Sequence, residues 1–92
     1  MKLEVYLSQG KETEMLKAGL YINGVKPLGA IEPELQQREI AGLIGRFYDA
    51  LEKGGFAETK VELKNNGLKK EVYEEVKNQI SGLLRVRNAK LN

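Results

Sequence analysis

The stretch that decides the fold is residues 2–8, which read KLEVYLS. Leu3, Val5 and Leu7 alternate with charged or polar residues, so in an extended chain they share one face. Such alternation predicts a β-strand that is buried on one face and open to solvent on the other.

Residues 16–22 show the same alternation and predict a second strand, with apolar positions at Leu16, Ala18, Leu20 and Ile22. Asn23-Gly24 follows and predicts a hairpin, because both central positions of a type I′ turn need a positive φ. Residues 25–31 then form the predicted third strand. Pro27 has no N–H to donate, so we expect this strand at an edge of the sheet.

The first predicted helix opens at Glu32-Pro33, since proline is tolerated in a first turn. It ends at Gly54-Gly55, a typical C-terminal cap. Its apolar stripe, at helical spacing, is Ile40, Leu43, Ile44, Phe47 and Leu51. Ala41, Gly42 and Gly45 on the same helix indicate that another element packs closely against it.

Residues 57–64 alternate again and predict a fourth strand, which Asn65-Asn66-Gly67 ends. The second predicted helix has its stripe at Leu68, Val72, Val76, Ile80 and Leu83. Residues 84–87, Leu-Arg-Val-Arg, predict a short last strand with both arginines on its polar side. Residues 88–92 are expected to be a frayed tail.

The predicted order is therefore β-β-β-α-β-α-β, an α/β fold in one small domain that spans residues 1–92. Right-handed crossovers would make the later strand pairings parallel, giving a mixed sheet with two helices on one face. The last strand also offers an edge at which a second copy could extend the sheet into a dimer.

Composition limits the chemistry. The 92 residues include no His and no Cys, which excludes Ser–His and Cys–His nucleophiles, disulfides and zinc sites of the usual ligands. No phosphate-binding glycine loop is present. We therefore expect a non-enzymatic protein without a metal or another cofactor.

The charge and hydropathy of the chain give weaker indications. No apolar run approaches the length of a membrane span, and we expect a small soluble, cytoplasmic protein with no membrane partner. The net charge of +2, from 15 basic and 13 acidic residues, is too small to indicate a nucleic-acid partner by itself.

The element order resembles that of the ribonuclease H-like superfamily, and the resemblance covers residues 2–87. Residues 6–10, YLSQG, resemble the end of the family's first strand, where a metal-binding Asp precedes a Gly. Residues 37–41, QREIA, resemble the start of its first helix, which carries a catalytic Glu. Residues 61–66, VELKNN, resemble its fourth strand, which ends in a second metal-binding Asp.

The resemblance implies a scaffold for two-metal phosphodiester hydrolysis, which needs several converging carboxylates. Here Gln9 and Asn65 occupy the two Asp positions, and only Glu39 is acidic. Neutral amides cannot balance two divalent cations, so the resemblance implies a nuclease scaffold without nuclease activity. Without the resemblance, Glu39 is a first-turn acid that the helix dipole favours.

The candidate binding residues lie on the polar side of the predicted strands: Tyr6, Lys17, Tyr21, Lys60, Lys64, Arg85 and Arg87. Glu4 and Glu62 are the acids among them. A solvated sheet face would look the same. We favour a protein–protein contact, with another protein or in a homodimer. The alternative is single-stranded nucleic acid, whose bases stack on aromatic rings while its phosphates meet Lys and Arg.

Overall fold

A computed structural model describes residues 1–26, 33–55 and 58–91. In order along this part of the chain, the elements are β1 (Lys2–Gln9), β2 (Met15–Ile22), β3 (Glu34–Gln36), α1 (Gln37–Lys53), β4 (Lys60–Asn65) and α2 (Lys70–Val86). Within these residues the strands form one sheet in the order β3-β2-β1-β4. The expected α/β class is confirmed.

The sheet is mixed, as predicted. β1 is antiparallel to β2, which is antiparallel to β3. On its other side β1 is parallel to β4, after a crossover through α1. A parallel neighbour needs a crossover of this kind, because a tight turn can join only antiparallel strands.

The apolar side of β1 lies at the centre of the core. Leu3, Val5 and Leu7 are all fully buried. They belong to one cluster with the buried residues of both helices, which are Ile40, Ile44 and Tyr48 on α1 and Val76, Ile80 and Leu84 on α2. Both helices therefore cover the same face of the sheet, as expected.

The predicted turn after β2 is present. Asn23 and Gly24 have φ values of 51° and 79°, and Ile22 and Val25 exchange two backbone hydrogen bonds of 2.9 and 3.0 Å. The hairpin does not extend, since Val25 is 67% exposed and forms an isolated bridge. Residues 27–32, with most of the predicted third strand, lie outside the described residues.

The third strand that the structure does describe is β3, where we expected the first turn of a helix. Leu35 pairs with Leu16 in the core register, and the carbonyl of Pro33 already accepts a hydrogen bond from the N–H of Ala18. The helix therefore begins at Gln37, later than predicted. Extended pairing prevails here because it packs the half-buried Leu35 against the core at the edge of the sheet.

The buried side of α1 is rotated from the predicted stripe. Ile40 and Ile44 are buried, but Leu43 and Phe47 are half-buried, and Tyr48 is buried in their place. The rotation follows from the position of α2, which packs beside Gly45.

A Cβ atom on Gly45 would lie 2.8 Å from Cδ2 of Leu83 on α2, so the expected close packing is real at this position. A Cβ on Gly42 would meet only Nη1 of Arg46, at 3.7 Å. Gly45 is thus a point of close contact between the two helices, and Gly42 is not.

The prediction of a last strand at residues 84–87 is wrong. α2 continues through Val86, and the order of the described elements is β-β-β-α-β-α. Leu84 continues the spacing of Val76 and Ile80, so burial on a helical stripe outweighs an alternation only four residues long. Val86 is 82% exposed as a result.

The outer edge of β4 is covered in two ways. Leu91, within the expected frayed tail, forms a parallel bridge with Val61. The hydroxyl of Tyr73 donates a 3.1 Å hydrogen bond to the carbonyl of Leu63. Together with the loss of the predicted last strand, these contacts argue against a dimer built by extension of the sheet at this edge.

Gly45→Val should lower the free energy of unfolding by roughly 1–3 kcal/mol, because the added methyl groups overlap Leu83. Gly42→Val is the matched control and should be neutral or slightly stabilising, since valine has the better helix propensity. Urea denaturation followed by circular dichroism measures both. Equal midpoints for the two variants would contradict this account of the helix–helix contact.

Candidate contact face of the sheet

The side chains of alternate strand residues point away from both helices and form what we call the open face. Its members on β1, β4 and the middle of β2 are Lys2, Glu4, Tyr6, Ser8, Lys17, Gly19, Tyr21, Lys60, Glu62 and Lys64. Met15, Glu34 and Gln36 lie on the same face at the β2–β3 edge, with Glu34 beside Lys17. Five of the seven predicted binding residues lie together on it, namely Tyr6, Lys17, Tyr21, Lys60 and Lys64. The structure places these five residues on one sheet face, and their role in binding stays a prediction.

Arg85 and Arg87 do not lie on the open face, because the segment that carries them is not a strand. Arg85 is exposed on α2. Nε and Nη2 of Arg87 donate to the carboxylate of Asp49 on α1 at 2.7 and 2.9 Å. These hydrogen bonds lower the pKa of Asp49. Arg87 therefore joins the two helices on the opposite side of the sheet.

Two tyrosines form the centre of the open face. The ring centroids of Tyr6 and Tyr21 are 5.1 Å apart, and the rings meet edge to face at 73°. Gly19 lies directly across from Tyr6 in the β1–β2 register and is buried. Its missing side chain leaves room for an aromatic neighbour, which stabilises a glycine within a strand.

Glu4 is held beside these rings. The hydroxyl of Tyr6 donates to Oε2 of Glu4 at 3.2 Å, and Nζ of Lys64 lies 3.8 Å from the same oxygen. The Glu4 side chain is only 12% exposed. Burial, and then the hydrogen bond to Glu4, raise the pKa of Tyr6.

The charges of β1 and β4 form rows across the two strands. Lys2 lies beside Lys60, and Glu4 lies beside Glu62. The attractive contacts are diagonal instead: Lys2 pairs with Glu62 at 3.2 Å, and Lys64 pairs with Glu4. Along the strands, the lysine row of Lys2 and Lys60 is followed by the acidic row of Glu4 and Glu62, and then by Lys64. Successive rows are two residues, or about 6.6 Å, apart.

The open face is only weakly cationic. Two of its four lysines, Lys2 and Lys64, are already paired with its acids, and the hydrogen bond to Glu62 raises the pKa of Lys2. The sequence analysis omitted Lys2 and Gly19 from the site. Both lie in the alternation of their strands, but only the register between strands shows what they adjoin.

The residues at the ribonuclease H-like positions have local structural roles. Nε2 of Gln9 donates to the carbonyls of Glu12 and Thr13 in the loop after β1 and to that of Met15 at the start of β2, at 3.0–3.1 Å. The side chain of Asn65 both accepts from and donates to the backbone of Leu68. Glu39 accepts from the N–H of Gln36 in the capping box of α1.

Comparison of the chain with protein-family models, curated proteins and solved structures gives no match. Across residues 1–26, 33–55 and 58–91, no group of three or more acidic residues is placed to hold a metal ion. Within the same ranges, neither α1 nor α2 has the length and apolar content of a membrane-spanning helix.

The pKa of Tyr6 should lie above the ordinary tyrosine value of about 10, and Glu4→Gln should lower it part of the way, leaving the effect of burial. A raised pKa means that the neutral phenol is stabilised in the folded state. This contribution is present below the ordinary value and disappears as the pH rises through the pKa of the folded protein.

The measurement is the phenolate absorbance of wild type minus that of Tyr6→Phe, repeated in the Glu4→Gln background. Glu62→Gln is the control on the same face and should leave the Tyr6 midpoint unchanged. A Tyr6 midpoint that does not respond to Glu4→Gln would show that Glu4 does not bind the hydroxyl.

Proposed function

We propose that this chain is a non-catalytic binding module that contacts another protein through the open face. The observation that carries the proposal is the edge-to-face pair of Tyr6 and Tyr21 at the centre of a sheet face that neither helix covers. A tyrosine offers a large apolar ring with a polar tip, and this residue type is enriched in protein interfaces.

The charges around the tyrosines agree with a protein partner. Interfaces combine an aromatic centre with a polar rim, and here Lys60, Glu62 and Lys64 lie on the edge strand β4, at the rim of the open face. The rim carries both signs in alternation. It could therefore meet a partner of mixed charge without leaving one sign of charge unmatched.

The proposal of a non-catalytic role rests on the chemistry of the side chains. The chain has neither His nor Cys, the residues that most often act as general bases and thiolate nucleophiles. Gln9 and Asn65 are amides, and their side chains hold backbone groups of two turns.

The alternative function is single-stranded nucleic-acid binding on a nuclease-like scaffold that lacks its metal ligands. Tyr6, Tyr21 and the lysines of the open face favour it. Two observations weigh against it: Arg85 and Arg87 lie elsewhere, and rings inclined at 73° do not offer two parallel surfaces to successive bases.

A tagged wild-type chain should capture a defined protein from a lysate of the source cells, and Tyr21→Ser should abolish that capture because it removes the central ring. Lys77→Ser, on the exposed side of α2, is the matched control and should capture the same protein as wild type. Identical capture by all three chains would contradict the proposal, and so would a wild-type chain that captures nothing and is also monomeric.

Labelled single-stranded oligonucleotides test the alternative by fluorescence anisotropy at two salt concentrations. We expect no salt-dependent binding. Binding that weakens with added salt, as release of counterions from phosphates requires, and that Tyr21→Ala weakens by roughly 1–3 kcal/mol, would instead favour nucleic acid.

A further inference from the structure

We propose that the protein bound by the open face is a second copy of this chain, placed face to face in a twofold-symmetric dimer. The inference rests on the proposed function and names its partner. It follows from the order of the rows on the open face, because that order is complementary to itself.

Two neighbouring rows carry the argument. One consists of Glu62, Glu4 and Tyr21, in the order β4, β1, β2. The next consists of Lys64, Tyr6 and Gly19 on the same strands. A twofold axis that runs across the strands between these rows would place each row over the other row of the second copy.

The rim contact made in this way joins opposite charges, and the central contacts place no like charges together. Glu62 would face Lys64 of the second copy, an acid against a base. Glu4 would face Tyr6, a neutral phenol whose hydroxyl donates to Glu4 of its own chain. Tyr21 would face the buried Gly19 beside the Tyr6 ring of the second copy.

The row that contains Lys2 also places no like charges opposite each other in the dimer. Lys2, one row further from the axis, would face Ser8 of the second copy, a neutral hydroxyl on the same strand. Because the axis repeats every contact, each favourable pair occurs twice in the dimer.

The packing is of a known kind. Two sheets stack face to face about 10 Å apart with strands nearly aligned. The tyrosines would then be central and desolvated, and the pair of Glu62 with Lys64 would lie at the rim. Rim charges set specificity, and like charges placed in contact there are strongly unfavourable. A reversal of one charge should therefore break the dimer.

The test compares wild type with Glu62→Lys and Lys64→Glu by sedimentation velocity over a dilution series. Wild type should dimerise. Each variant alone should dimerise at least about tenfold more weakly, because its two rim pairs become like-charge contacts. An equimolar mixture of the two variants should recover dimers, since the new lysine of one meets the new glutamate of the other.

Recovery in the mixture separates contact between copies from damage within one chain, because neither variant changes on mixing. Glu74→Lys, on the exposed side of α2, is the control and should dimerise like wild type. Circular dichroism checks that each variant is folded.

A wild type that stays monomeric at every concentration would overturn the inference, whether or not the variants fold. So would two weakened variants that gain nothing on mixing. If wild type is monomeric and still captures a different protein through Tyr21, the inference fails while the proposed function stands. If it neither dimerises nor captures a protein, both fail.

Discussion

Burial of one side of β1 is the constraint on which the rest of the structure depends. Leu3, Val5 and Leu7 are fully removed from water between the sheet and the two helices. Burial of each such side chain stabilises the fold by about 1.5–3 kcal/mol. Successive strand residues point in opposite directions, so burial of Leu3, Val5 and Leu7 on one face places Glu4 and Tyr6 on the other. The open face is thus a direct consequence of the way the core is built.

The sequence predicted those parts of the fold in which a local pattern and burial agree. β1, β2 and β4 have clear alternation, and the turn at Asn23-Gly24 has the residues that its φ values require. Prediction failed at residues 84–87, where a short alternation competed with the helical stripe that Leu84 completes. It failed also at β3, whose three residues form a strand through pairing with Met15, Leu16 and Lys17 of β2.

The same distinction applies to the candidate site. Alternation along each strand was enough to place Tyr6 and Tyr21 on one face, since it needs no knowledge of neighbours. The contact between their rings, the role of Gly19 and the rows of charge depend on which residues of β1, β2 and β4 lie side by side. The register between strands depends on the loops that join them and on packing as well as on the pattern within each strand, so these features required the structure.

The most direct test of the central claim, that the open face is where two copies meet, is a dilution series of amide and aromatic NMR spectra of the wild-type chain. The resonances of Tyr6, Gly19 and Tyr21 should shift together with concentration, while those of Lys77 on α2 stay fixed. Concentration-dependent shifts on the helices instead, or none anywhere, would contradict the account.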